Sequence, residues 1–567
     1  MKRGRRLVKL LAVLLSICLL FTSCAPAGVS DEKSTDLKYS QEVQNLEKLC
    51  KVWGYTKYYH PAFLLGQKDW DKELKKLIPV VSEAEEEEVN NILHEWFVSL
   101  GEIDYGNSES ITLPPEEERI EQADTSWIRE DYLGAELTED LSQLGPIPNI
   151  DRSKSPVKFN QGKYPDFSNE ATHMIFNYGN MSNRLLGLFR VWNAVEYYFP
   201  YLDIMDEDWG ELLAEYIPKM LEGRDQKTFE LTIAELTAHL QDAHVALLDQ
   251  KVFLNALGKY SLPVELTQAE GKVVVQNVFG DTCPLQRGDI ILKLDGVEIE
   301  QVIEERQKYL SDSDKERIVP HISSYLLWSD SQTMEVTVMR DGKEEVLSAQ
   351  GYVGAFNQKK KKTAAYEMLD GNIGLINPEA FQEEKLEDIM QEYKDTDGLI
   401  IDLRQYPSNG ELDYLASYLK KEPTVCSVIA FPSQSIPGVM VLEEQSYGGA
   451  SEQYPSYYYE KPVVLLMNEE SVSASEFHVM ILRGGENVTV IGSNSHGTDG
   501  NVVFLPLPNK NVIRFTGLGV YTPEMGQTQR IGLIPDIEVY PTIEGIKEGK
   551  DELKEAAVTY IQEQNEK

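Results

Sequence analysis

Apolar positions along the chain fall into three successive patterns. The first is helical and occurs twice. Leu46–Pro61 (LEKLCKVWGYTKYYHP) and Leu185–Pro200 (LLGLFRVWNAVEYYFP) align with Trp53 opposite Trp192, an offset of 139 (192 − 53). At the same offset Asp69–Pro79 (DWDKELKKLIP) matches Asp208–Pro218 (DWGELLAEYIP). Apolar side chains recur at helical spacing in both copies. Each copy runs on into a further helical stretch, VNNILHEWFVSLGEID in the first and TFELTIAELTAHLQDAH in the second. A duplicated helical unit is the simplest account. Residues 105–184, between the copies, are polar and proline-containing and read as loops and short strands.

From about Ser261 the period shortens. LPVELTQAEGKVVVQNVF reads as two strands, and LQRGDIILKLDGVEI as a turn, an apolar strand and an Asp-Gly hairpin. IEQVIEERQKYL is helical, and TMEVTVMRDGKEEVLSA is a second Asp-Gly hairpin. Together these make a β module of about 90 residues. After it, β-rich runs (NIGLINPEAF, DGLIIDLRQYP, VVLLMNEESVSASEF, VTVIGSNSHGTDG) alternate with helical segments such as EEKLEDIMQEY. That alternation predicts an α/β domain.

A chain of 567 residues is too long for one core, so several domains are expected. The formal charge of −39 argues against nucleic acid as a partner, since a polyanion would be repelled. The N-terminus is the exception to the acidic balance. MKRGRRLVK is basic, LLAVLLSICLLF is apolar, and TSC then gives way to a polar stretch. The apolar run is short for a permanent membrane span and fits a secretory signal. Small residues followed by cysteine resemble a bacterial lipoprotein signal, which implies lipidation at Cys24 and an extracytoplasmic protein anchored to the cell membrane. Of five cysteines, Cys50, Cys283 and Cys426 remain; their spacing makes neither a disulfide framework nor a metal site.

Candidate chemistry concentrates in NEESVSASEF, Asn468–Phe477, where a buried strand passes into a helix start. A serine at such a turn has free backbone N–H groups and the positive helix end beside it, the environment that stabilises an oxyanion. The alternative is that Ser471, Ser473 and Ser475 cap the helix, with Glu476 completing a capping box.

This segment resembles the nucleophile segment of the C-terminal processing and tricorn-core serine peptidases. Other parts agree in order over roughly residues 185–545: LTAHLQDAH, a PDZ-like module containing LQRGDIILKLDGVEI, DGLIIDLRQYP, VTVIGSNSHGTDGNV and GLIPDIEV. The resemblance implies a ClpP/crotonase-like α/β spiral interrupted by a PDZ module, and it selects Ser473 as nucleophile. One branch of the family uses a lysine base in a Gly-Lys-Gly loop. Here Thr498 stands at that position, and threonine cannot serve as a base at neutral pH. The other branch uses a histidine before the PDZ module, which implies His244; an imidazole titrates near neutrality. The repeat supports the choice, because Asp104 falls opposite His244 and the helical scaffold therefore does not require histidine there. His239 reads as structural, and His496 is a second-choice base.

For a third group that orients the imidazole, the resemblance points to Glu524, with Gln529 and Asp499 as alternatives. The oxyanion donors implied are the N–H of Ala474 and, because Pro407 has none, that of Tyr406 or Ser408. The expected layout is signal and lipidated cysteine (1–24), polar linker (25–38), helical repeat with a loop-rich segment (39–184), helical segment carrying the base (185–255), PDZ-like domain (256–352) and catalytic domain (353–567). No cofactor or metal is expected. The reading is a serine endopeptidase acting on a peptide or protein substrate, with the PDZ module binding an extended peptide or C-terminus. A non-catalytic binding protein on the same fold is the competing reading.

Overall fold

The long apolar runs of the C-terminal half form a parallel sheet covered on both sides. In the computed structural model its strands lie in the order Tyr366–Leu369, Ile373–Ile376, Gly398–Asp402, Val463–Met467, Val488–Gly492 and Ile537–Glu538; the first pair is antiparallel and the others parallel. Alternate residues of one run serve opposite faces. Ile400, Val464 and Leu466 meet Leu553, Ala557 and Ile561 of the last helix, Glu552–Asn565. Leu399, Ile401, Val463, Leu465 and Met467 turn the other way and meet Val479, Ile481 and Leu482 of the helix Ala474–Leu482. Burial on both faces explains why these strands read as continuous rather than alternating apolar runs. The description covers residues 38–567 except 107–108, 110, 174, 281, 315, 355–362, 382–384, 409 and 450–456 and the side chains of 410 and 411. Cys24 and the expected signal lie outside it.

The β module is a sheet ordered Lys343–Gln350, Thr333–Arg340, Ile290–Leu294, Lys272–Val278, Val264–Ala269, with the helices Ile299–Gln307 and Val319–Leu326. Leu266, Val275, Ile291, Val336 and Val338 from the strands and Val302 and Ile322 from the helices share its core. The helix Val319–Leu326 (VPHISSYL) carries too few helical turns to stand out in the sequence.

The two helical copies correspond element by element. Gln41–Tyr59, Trp70–Ser82 and Glu86–Ser99 correspond to Met181–Tyr198, Trp209–Glu222 and Gln226–Ala238. Trp53 Nε1 donates to Trp70 O at 3.0 Å, and Trp192 Nε1 to Trp209 O at 2.9 Å. Asp69 and Asp208 each cap the second helix of their copy. The first helix of each copy packs on the second helix of the other, as a pseudo-twofold arrangement requires. The segment between the copies contains more helix than its polarity suggests. Glu130–Ser142 is helical, broken at Gly134 (φ 74°), and buries Leu133, Leu137 and Leu141 at four-residue spacing. The glycine inside the run is a helix breaker and argues against a helix when the sequence is read alone.

Candidate active site

The strand Val463–Met467 ends in a turn from which the helix Ala474–Leu482 starts. Ser471 and Ser475 are wholly buried there, and both donate their hydroxyls to carbonyls, of Leu403 at 2.9 Å and Gln405 at 3.1 Å. They hold the turn to the end of the neighbouring strand. Ser473 differs. Its backbone stands at φ 55°, ψ −117°, a conformation that costs a non-glycine residue about 1–3 kcal/mol and persists only where the surroundings impose it. Its N–H donates to Thr498 O at 2.8 Å and to Glu476 Oε2 at 3.1 Å. It lines a cavity of about 580 Å³ together with Ala474, Tyr406, Asp499 and His244.

His244 reaches the same cavity from the end of the second helical copy. After Gln226–Ala238 the chain turns through Gln241 (φ 49°), and Ala246–Leu247 adds a short strand to the hairpin Val502–Pro506/Val512–Thr516. Ala246 pairs with Arg514, so continuing the antiparallel register places Thr516 opposite His244. His244 Nδ1 lies 2.8 Å from Thr516 Oγ1. This engages one ring nitrogen and leaves Nε2 for proton transfer. Asp242, fully buried, accepts from the N–H of His244 and of Thr516, both at 3.0 Å, and its Oδ1 is 3.9 Å from His244 Nδ1. Burial lowers the pKa of His244; the Asp242 carboxylate opposes that shift, and Arg514 and His496 add to it.

Thr498 joins the two halves of the site. Its carbonyl receives the Ser473 N–H, and its hydroxyl accepts from Ala243 N at 3.2 Å, one residue before His244. Thr498 thus clamps the histidine turn onto the serine turn. Glu476 ties in the same loop. Its carboxylate accepts from Ser495 Oγ at 2.6 Å, Gly497 N at 2.8 Å and Thr498 N at 3.0 Å, and burial pushes its pKa up to about 7.

The other candidates separate clearly. Glu524 is exposed on the turn Thr522–Gly526, which closes on itself through the Gly526 N–H to the Thr522 hydroxyl, and it is not among the residues that line the cavity of Ser473 and His244. The carboxylate beside His244 is Asp242, which the sequence analysis did not single out. Asp499 lines the cavity but leans on its own loop, accepting from Gly500 N at 2.7 Å; burial and then the Glu476 charge raise its pKa well above the usual carboxylate range. Gln529 is buried, and its amide makes no hydrogen bond among the described residues. The Ser408 N–H is spent on Pro378 O at 3.1 Å, which favours Tyr406 over Ser408 as the second oxyanion donor. His239 bonds Tyr216 and Glu207 on the helical copy. The His496 Nε2 faces Asp312 at 3.6 Å, and its ring stacks on His321.

Residues 372–539 match the model of peptidase family S41, and residues 258–362 that of a PDZ domain. A carboxy-terminal-processing protease of Bartonella bacilliformis is 25% identical over 334 residues, which span 56% of this chain and 70% of that protein. The solved structure of mature CPAF complexed with lactacystin superposes with a TM-score of 0.52 at 13% identity, over 68% of this chain and 99% of that one. A second structure of mature CPAF gives 0.50 at 13% identity, over 68% and 98%. At such identity the two structures speak for the fold alone.

Proposed function

The chain belongs to peptidase family S41 and is a serine peptidase, and from that premise we propose that it is an endopeptidase working through Ser473 and His244. One observation carries the assignment. Of the three serines in the turn, two give their hydroxyls to backbone carbonyls, while the third holds the positive-φ turn and shares a cavity with a buried histidine.

In this reading Ser473 Oγ attacks the scissile carbonyl as His244 Nε2 takes its proton. The Thr516 hydroxyl, held against Nδ1, sets the plane of the imidazole, and the Asp242 charge stabilises the imidazolium that forms. The N–H groups of Ala474 and Tyr406 receive the oxyanion. His244 then returns the proton to the leaving amine, and water repeats the sequence on the acyl-enzyme. The PDZ domain presents an extended peptide or C-terminus by adding it as a strand to a sheet edge. Lipid on Cys24 would anchor the enzyme outside the cytoplasm; the basic and apolar start of the sequence supports this part.

A fluorophosphonate probe tests the centre of the proposal. It should label the native protein and fail on Ser473→Ala, while Ser471→Ala keeps labelling if it folds. Labelling that survives Ser473→Ala would remove the assignment. A fatty-acid analogue fed to cells should mark the full-length chain and not Cys24→Ser.

A further inference from the structure

Three side chains far apart in sequence converge where the β module meets the parallel-sheet domain. Asp312 precedes the module's helix Val319–Leu326, His321 lies on it, and His496 lies in the loop after Val488–Gly492. Asp312 Oδ2 is 2.9 Å from His321 Nδ1 and 3.6 Å from His496 Nε2, and one ligand atom from each residue falls within 4.8 Å of the others. Asp312 and His496 are about 95% buried.

Two features point beyond a structural ion pair. The His496 Nε2 is buried and makes no hydrogen bond among the described residues, although it faces a carboxylate. Such an atom calls for a partner. His321 is oriented from behind: its Nε2 lies 2.9 Å from Glu469 O. A histidine that gives its Nε2–H to a backbone carbonyl presents Nδ1 as the ligating atom, the usual outer shell of a metal-bound imidazole; here Nδ1 faces Asp312, and an ion would take the place of the proton the two share.

We propose that Asp312, His321 and His496 bind a divalent first-row transition-metal ion, with zinc as the ion the donors suit best. Two imidazoles and a carboxylate are a zinc donor set. Tetrahedral bonds of about 2.0–2.1 Å would hold the three atoms roughly 3.3 Å apart, within the span seen here. The two rings stack with centroids 3.5 Å apart and planes 19° apart, so an ion cannot lie in both ring planes at once. One imidazole must turn about its Cβ–Cγ bond on binding. A cavity of about 220 Å³ that both histidines and Asp312 line gives room for that turn and for a water as fourth ligand. The bound ion would fasten the β module to the loop whose His496 N–H bonds Ser471 O at 2.9 Å, and so to the serine turn.

The test uses the full chain carrying Ser473→Ala, stripped with chelator, so that binding is read without turnover. Calorimetry with Zn2+ should give one equivalent with a micromolar or tighter Kd, and the thermal midpoint should rise with Zn2+. Co2+ in its place should give the visible bands of a four- or five-coordinate ion, without a thiolate charge-transfer band. His321→Gln and Asp312→Asn should each weaken binding at least tenfold. Absence of binding at 100 µM Zn2+ would overturn the proposal. So would full affinity in both folded variants, or a thiolate band pointing to the cysteines. If neither variant folds, the stoichiometry and the cobalt spectrum of the parent protein decide.

Discussion

The two helical copies share a fold to their last turn and then part. The first ends in LGEID, and Asp104 there is exposed, with its carboxylate accepting the nearby Gly106 N–H at 2.8 Å. The second ends in LQDAH, and its corner is drawn under the hairpin Val502–Pro506/Val512–Thr516, where His244 is buried against Thr516. The scaffold supplies the corner twice; the catalytic domain covers it once. What makes His244 a candidate base is therefore not the helix that carries it but the strand pairing that follows.

The sharpest way to break this comparison is to remove both corner residues in turn. Losing a triad member costs several orders of magnitude in turnover elsewhere, so His244→Ala should lower kcat by about 10³-fold or more. Asp104→Ala should leave it unchanged. The assay is cleavage of a protein substrate across pH 5 to 9, with thermal melts as the folding control. Because burial lowers the His244 pKa, its neutral form persists further into acid than an ordinary histidine's. The acid limb of kcat/KM should therefore lie below pH 6.5, the usual imidazole value. A limb above that value, or near-full activity in His244→Ala, would end the assignment.

The copies differ again at their interface. Lys57 of the first is fully buried against Glu170, which also receives Trp70 Nε1 and faces Arg190 Nε of the second copy at 3.1 Å, while Arg190 pairs in turn with Asp71 at 2.7 Å. Under the pseudo-twofold, Lys57 corresponds to Glu196, Arg190 to Lys51 and Asp71 to Gly210, so Lys57 and Asp71 have no like-charged equivalents. Removing one partner of a buried pair strands the other. Because Glu170 keeps Arg190 and Trp70, Lys57→Ala should cost less than the about 3–5 kcal/mol of a stranded buried charge in a chemical unfolding curve. Glu196 should show the opposite behaviour. Burial raises its pKa to about 8, with the Asp124 N–H opposing the shift. Its folded form thus binds a proton that the unfolded form releases near pH 4.5. Stability is full below the unfolded pKa and is lost as pH rises to about 8, by at most about 1.4 kcal/mol per pH unit. Glu196→Gln should flatten that slope and match the wild type near pH 4. An unchanged slope would place the titrating group elsewhere.

What could be read from the sequence was what is contiguous in it. The serine turn is a strand, a turn and a helix start in one stretch, and the PDZ-like hairpins announce themselves by Asp-Gly. His244 could be singled out through the family resemblance, and the chain carries its own control, Asp104, in support. Thr516 could not, because a ladder joins it to a residue 272 positions away. Glu524 lies close in sequence to the closing strands yet on an exposed turn, and closeness in sequence says nothing of which way a turn points. The Asp312, His321 and His496 cluster had no spacing to recognise, since two domains contribute to it.

The smallest expected effect tests the symmetry itself. Gly54 and Asn193 are equivalent positions, and they face each other where the two long helices meet. A Cβ on Gly54 would stand 1.6 Å from Asn193 Oδ1. Asn193 Nδ2 lies 2.9 Å from Phe189 O on its own helix and 3.2 Å from Cys50 O on the other. Phe189 and Cys50 are themselves equivalent under the 139-residue offset. An asparagine at 54 facing a glycine at 193 would therefore find the same two carbonyls in reversed roles. Gly54→Asn alone should destabilise by overpacking, about 1–3 kcal/mol, and Asn193→Gly alone should lose the bridging hydrogen bonds. The double swap should recover on the order of 1 kcal/mol relative to the sum of the two, measured as the coupling in a double-mutant cycle. Strict additivity would mean that the copies resemble each other in fold but do not pack about a shared axis.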